Sequence, residues 1–486
     1  MSLTVDHGQT AVRALPLCVD LDGTLVRSDT LVESLCELAP TAAIVTLAPA
    51  LLRGKAAFKQ EVAAQTRIDP RLLPYNEPLL AWLREQKAAG RMLVLATATN
   101  RAVAEGIARH VGLFDDVVAS DDRHNLKGPA KAQALVERFG ERGFAYAGND
   151  ASDLAVWRWA GSAVVVNAPG AVAARVRDTL PVERVIDDRP SLWPELLRAM
   201  RPHQWVKNIL VFVPILTAHA LGQVSAWIGG LLMFAAFCAT ASSIYMVNDL
   251  LDLKADRAHP RKRFRPFASG TVPLTVGIAV AAVLLLVGLG LAALGHVVWV
   301  VCAYAAMSVG YSIILKQLPL VDVFMLAGLY TIRLYGGGEA TGHRLSLWLL
   351  GFSSFLFLSL ALLKRVEEFM SVASAGGSKA ARRGYTAADV PILQLFGVAA
   401  AFASAIVLAL FVQAEATGQV YRSPTLLWLV VPLMLFWQCR MWLSGARGYM
   451  HHDPIIYAAR DWVSWTIGVA MVAVLIAAKS LPLGMG

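Results

Sequence analysis

The sequence predicts a multidomain chain: an N-terminal α/β domain, Rossmann-like with a helical cap, then a C-terminal all-α polytopic membrane bundle of about nine transmembrane helices. Three observations carry this prediction. Of 486 residues, 56% are hydrophobic and only 16% charged, too apolar for an ordinary soluble chain. That average conceals a division, because residues 1 to about 200 alternate apolar strands with charged helices, whereas most of the sequence from about 208 onward is long apolar runs. Nine of those runs are candidate spans, near 209–222, 227–248, 273–294, 297–315, 319–338, 346–363, 391–413, 424–444 and 461–481. The expected boundaries are 14–190 for the α/β domain (cap about 28–88), 191–207 for an interfacial linker and 208–486 for the membrane domain.

The net charge of +9 suits positive cytoplasmic loops and anionic lipids and gives no reason to invoke nucleic acid. Five scattered cysteines form neither a disulfide framework nor a zinc pattern. Residues 1–16 lack the charged and apolar regions of a signal peptide, so the first domain is expected to stay in the cytoplasm.

Within the first domain, Leu17-Cys18-Val19 reads as a buried strand running into Asp20-Leu21-Asp22-Gly23-Thr24-Leu25. If the strand continues, Asp20 and Asp22 point the same way, and Gly23 permits a sharp turn. A carboxylate at a strand's carboxyl end can attack phosphorus, and its neighbour two residues on can pass a proton to the leaving oxygen. This DLDGTL run resembles the first motif of haloacid-dehalogenase-type phosphatases. The resemblance implies that Thr97, ending the strand from Arg91, binds phosphate. It also implies that Lys127 neutralises nucleophile and phosphate, with Lys131 one turn later as its rival. The loop Asn149-Asp150-Ala151-Ser152-Asp153 matches the metal-binding loop, with Asn149 where an acid is usual. Asp20, Asp22, Asp150 and Asp153 are then the expected ligands of one Mg²⁺. In the cap, Thr41 to Leu52 is apolar but too short to span a bilayer, and reads as a buried helix or one lying on the membrane surface.

In the membrane domain, the loop Leu251–Val272 holds six Lys or Arg, and a later one holds Lys364, Arg365, Lys379, Arg382 and Arg383. This bias places both loops on the cytoplasmic side with the first domain, and nine spans then put the C-terminus outside. An integral protein of the bacterial inner-membrane type is expected, with both sites cytoplasmic. Arg333 is costly in lipid and should face the interior. The adjacent His451 and His452 point different ways on a helix and make poor joint metal ligands.

The most informative stretch runs from Asn248 to Pro266. Asp249, Asp252 and Asp256 are three and four residues apart, on one helical face. Three such anions repel unless a divalent cation joins them, and hard oxygen ligands plus a substrate phosphate suit Mg²⁺. Arg261, Lys262, Arg263 and Arg265 follow at once. Each run alone also reads as a solvated cap or a topology signal; together they point to a metal–diphosphate grip. The pattern resembles the first aspartate motif, NDxxDxxxD, of the UbiA superfamily of intramembrane prenyltransferases. Asp256 through Gly270 and the run Arg201-Pro202-His203-Gln204-Trp205-Val206-Lys207-Asn208 resemble its decaprenyl-phosphate phosphoribosyltransferase branch more narrowly. The resemblance implies further substrate contacts from Arg201, Lys207, Asn248, Arg257, His259, Tyr311, Lys316, Asp322, Arg333, Lys364 and Arg365. The superfamily's second acid motif is incomplete, with Leu326 four residues after Asp322. Many cations and few acids favour a phosphorylated sugar donor, phosphoribosyl diphosphate, and a polyprenyl phosphate acceptor. One or more Mg²⁺ is expected there too. An aromatic prenyltransferase with a vestigial phosphatase-like domain is the alternative, and the sequence leaves homo-oligomerisation open.

Overall fold

The computed structural model describes residues 15–39, 41, 43–52, 54–121, 124–374, 384–414, 421–450 and 453–481. Lys379, Arg382, Arg383, His451 and His452 lie outside them. The chain forms two compact units, one of Met1–Ala199 with Met246–Val280, the other of Met200–Tyr245 with Ala281–Gly486.

In the first unit, strands β1 (Leu17–Val19), β2 (Leu93–Asn100), β3 (Asp116–Ser120), β4 (Ala145–Gly148), β5 (Ser162–Val166) and β6 (Val182–Ile186) form one sheet. Its order is β3-β2-β1-β4-β5-β6, with every pairing parallel. The continuous Val, Leu and Ala content of these strands follows from burial on both faces. One apolar layer gathers Leu17, Val19 and Leu95, the other Cys18, Val94 and Tyr146. Sequence order runs outward from β1 in both directions, so the carboxyl ends of β1 and β4 form the topological switch point, where parallel sheets bind ligands.

The cap is shorter than expected. Leu79, Leu80 and Leu83 of the helix Glu77–Ala88 join the sheet's own apolar layer. A separate small cluster of Leu38, Leu47 and Val62 holds the cap together. The apolar cap stretch is not one helix but two short ones, Ala43–Thr46 and Ala48–Leu52. Leu47 and Ala50 are buried there, and Leu52 is exposed.

Residues 246–280, expected in the membrane domain, cluster instead with the α/β domain. The reason lies in side chains that meet only in three dimensions. Arg257 donates to both oxygens of Glu33 at 2.7 and 2.8 Å, and Thr271 donates to Glu195 at 3.0 Å. The expected linker is itself folded, as the helix Leu192–Met200 and the 3₁₀ segment Pro202–Phe212.

The helical part has the long apolar helices of an integral membrane protein, though fewer of membrane length than the nine expected. Six helices among the described residues are long and apolar enough to cross a bilayer: Val224–Leu251, Leu274–Leu294, Leu347–Met370, Ala387–Gln413, Pro424–Ala446 and Trp462–Ser480. Val298–Ile313 is shorter. Val321–Thr341 has the length but carries Asp322, Arg333 and Glu339. The expected first span is broken, since the 3₁₀ segment gives way to a five-residue helix, Val213–Thr217, with Pro214 in its first turn. The parity argument that put the C-terminus outside therefore loses its first member.

Candidate active sites

The first site occupies the switch point. Asp20 follows β1 directly, and Lys131 Nζ donates to its Oδ1 at 2.7 Å and to Tyr146 Oη at 2.9 Å. Lys131, not the preferred Lys127, is thus the cation on the nucleophile position; Lys127 lines the same cavity. Burial pushes the Asp20 carboxyl up to about 7, opposed by the Lys131 ammonium. Asp22 accepts from the Thr30 amide at 2.8 Å and from Thr99 Oγ1 at 2.7 Å. Of the two hydroxyls on this strand, it is that of Thr99 that reaches Asp22. Thr97 is fully buried and accepts from the Thr99 amide at 3.0 Å, where the β2–β3 register is irregular.

Gly23 takes φ +75°, and a Cβ there would stand 2.2 Å from Asn149 Nδ2. The Asn149 amide thus packs directly on the acid loop, and its Oδ1 accepts from Thr24 at 3.2 Å. Asp153, expected as a metal ligand, instead orders this loop. Its Oδ2 accepts from the amides of Asn149 and Asp150 at 2.9 and 3.1 Å, and its Oδ1 from Tyr146 at 2.8 Å. Asp150 lines the cavity. Sequence reasoning missed Lys59, a cap residue whose ammonium donates to the Ala98 carbonyl at 2.8 Å and to Asn125 at 3.1 Å. No local pattern marks it, because only the fold of the cap brings it over the site.

The second site lies in residues 246–280. Asn248 and Asp249 end the helix Val224–Leu251, Asp252 sits at the break, and Asp256 belongs to the short helix Leu253–Arg257. The three acids are therefore not on one uninterrupted helical face. Asp249 and Asp256, nearly fully buried, both accept from Arg265 Nη1, at 3.0 and 2.6 Å. A guanidinium holds the position expected for a divalent cation. Among the described residues, no group of three or more His, Cys, Asp or Glu side chains is arranged to hold a metal ion. The two carboxylates converge on one point of positive charge, a donor set of hard oxygens that fits a cation between them. Arg257, expected on substrate, is committed to Glu33 and to the Ala268 carbonyl at 2.9 Å. His259 caps its own turn, accepting from the amides of Arg261 and Lys262 at 3.2 and 3.4 Å. Arg263 stacks on Phe264, 4.8 Å from the ring centroid.

The second unit has its own buried polar cluster. Asp453 accepts from Lys207 at 2.7 Å, from Lys364 at 3.1 Å and from Tyr330 at 3.0 Å. Arg333 faces inward as expected, donating to Asn208 at 2.8 Å and Tyr304 at 3.0 Å. Asp322 and Arg365, both expected on substrate, are buried as an ion pair, with Tyr385 donating to Asp322 at 2.6 Å. Arg201 lies over the Tyr245 ring. Tyr311 ends the helix Val298–Ile313, and half-buried Lys316 follows in a 3₁₀ turn. Asp453 was not singled out as a site residue, and a lone Asp before a proline carries no sequence signal beyond a helix cap.

The fold is that of a parallel-sheet domain with two acids and a lysine at its switch point, joined to helices of membrane length. The chain belongs to the UbiA prenyltransferase family, whose model matches residues 209–376, and carries a haloacid dehalogenase-like hydrolase domain, matched over residues 36–158. It is 36% identical to the protein y4nM of Sinorhizobium fredii, over 96% of this chain and 91% of that one. The nodulation protein NoeC of Azorhizobium caulinodans is 35% identical over 54% of this chain and 86% of its own length. The decaprenyl-phosphate phosphoribosyltransferase of Corynebacterium glutamicum is 39% identical, over 36% of this chain and 54% of that protein. Magnesium is the usual cation of both families.

Proposed function

We propose that the chain is a two-step membrane enzyme. Its UbiA part transfers 5-phosphoribose from phosphoribosyl diphosphate to a polyprenyl phosphate, and its hydrolase domain removes the 5-phosphate, giving polyprenyl-phosphoryl ribose. The convergence of Asp249 and Asp256 on one cation position carries this reading. Asp249, Asp252 and Asp256 would hold Mg²⁺, which supplies positive charge against the departing diphosphate. Arg265, released from the acids, would pair with phosphate oxygens. The bond from ribose C1 to diphosphate breaks with its electron pair leaving on diphosphate, and an oxygen of the acceptor phosphate bonds to C1. Lys207 and Lys364 share one carboxylate, Asp453, so the trio keeps a net positive charge that suits a phosphate-bearing substrate. The similarity to a phosphoribosyltransferase supports this donor over a prenyl diphosphate.

In the hydrolase site, Asp20 attacks the phosphorus of the 5-phosphate while Asp22 gives a proton to the departing ribose oxygen. Water then attacks the aspartyl-phosphate, Asp22 takes its proton, and inorganic phosphate leaves. Lys131 holds Asp20 in place and balances charge at the phosphoryl group. Asp20 with the loop Asn149–Asp150 would hold the magnesium of this site. Both steps are assigned to the cytoplasmic face of a bacterial inner membrane.

Mass spectrometry of lipids after incubation with phosphoribosyl diphosphate and a polyprenyl phosphate tests the scheme. Asp20→Asn should accumulate the phosphorylated lipid, and Asp249→Asn should make neither lipid. Unchanged product from Asp20→Asn would reject the coupled scheme.

A further inference from the structure

The hydrolase cavity is not walled by the hydrolase domain alone. About 1060 Å³ in volume, it holds Asp20, Asp22 and Lys131 at its polar end and is also lined by Gly270, Thr271, Pro273, Leu274 and Thr275. These residues follow the UbiA acid motif. Leu274 opens the helix Leu274–Leu294, which is long and apolar enough to cross a membrane. The wall is held firmly. Gly270, at φ +73°, packs so closely that a Cβ would stand 2.7 Å from Arg27 Cβ. Thr271 bonds Glu195, Arg198 donates to the Phe264 carbonyl at 3.0 Å, and the buried Arg257–Glu33 pair anchors the segment upstream.

A small soluble phosphomonoester needs only the acid end of this cavity. A phosphomonoester on a lipid headgroup must reach Asp20 while its chain stays in the bilayer, so its path has to begin at a membrane-crossing element. The first turn of Leu274–Leu294 is such an element, and it already forms part of the wall. We propose that residues 270–275 are the specificity-determining wall of the hydrolase site and select a phosphomonoester borne on a lipid over the same group free in solution. The segment that follows the transferase acids thereby decides what the phosphatase accepts. This inference rests on the phosphatase reading above but not on the ribosyl transfer.

The test uses the full-length protein in nanodiscs, without phosphoribosyl diphosphate, and two substrates that differ only in the lipid. One is ribose 5-phosphate, the other synthetic farnesyl-phosphoryl 5-phosphoribose, and phosphate release gives kcat/KM for each. The lipid form should be preferred at least about tenfold, and Thr275→Trp, at an exposed wall position, should cut that ratio about tenfold. Equal kcat/KM values in the native protein would overturn the proposal whatever the variant does. So would a ratio that Thr275→Trp leaves unchanged. Failure of the phosphatase reading itself would appear separately, as no phosphate release from either substrate, whereas release from both at equal kcat/KM refutes the wall alone.

Discussion

Glu33→Gln is the most informative single perturbation, because it separates two roles for Arg257. The Arg257 and Glu33 side chains are only 7% and 10% exposed, and two parallel hydrogen bonds of 2.7 and 2.8 Å join them. Removing one partner of such a buried pair typically costs about 3–5 kcal/mol. Arg257 keeps its bond to the Ala268 carbonyl, so the lower end applies, about 3 kcal/mol. If the segment opens locally, that is on the order of a hundredfold in the opening equilibrium. Hydrogen–deuterium exchange on the intact protein in detergent should show amides of 30–38 and 253–257 exchanging faster by about that factor in Glu33→Gln. Arg257→Gln should match it, and the double variant should be little worse than either alone. Unchanged exchange, or losses that simply add, would refute the clamp. A raised KM for the sugar donor in Arg257→Gln but not in Glu33→Gln would return Arg257 to the substrate-binding role expected from the sequence.

Three further outcomes follow from the geometry. Lys131→Met should lower phosphate release by about a hundredfold or more, and Lys127→Met by less than about tenfold, because only Lys131 touches Asp20; equal losses in steady-state assays would contradict the assignment. Gly23→Ala should cut phosphatase kcat at least about tenfold while lipid ribosylation continues, since a left-handed φ and the Asn149 amide both oppose a Cβ. Asp453→Asn leaves buried Lys207 and half-buried Lys364 beside each other without their shared carboxylate, and should destabilise the helical part by about 3 kcal/mol. A thermal-inactivation midpoint in detergent equal to that of the native protein would count against that cluster's role.

Much of this architecture was legible in the residues alone. The run Leu17–Leu25 announced a buried strand ending in two acids, because strand periodicity and a glycine turn are local properties. The apolar runs announced membrane helices for the same reason: length and composition suffice. The acid spacing of Asp249, Asp252 and Asp256 drew attention to the right turn, although it implied an unbroken helix.

What those patterns do not encode is which polar groups meet. Lys127 lies in the loop before the helix Pro129–Phe139 and Lys131 lies within it, and only the fold brings Lys131 onto Asp20. Thr97 and Thr99 share a strand direction, and a register irregularity turns the second toward Asp22. Arg265 lies among four cations that look alike as a string, and its meeting with Asp249 and Asp256 is invisible in that string. The order of residues along the chain determined the strand, the acids and the membrane-length helices, since each depends on neighbours a few positions away. Only the tertiary structure joined Arg257 to Glu33 and the 270–275 wall to the phosphatase cavity, because an ion pair depends on distance in space between groups 224 residues apart in the chain.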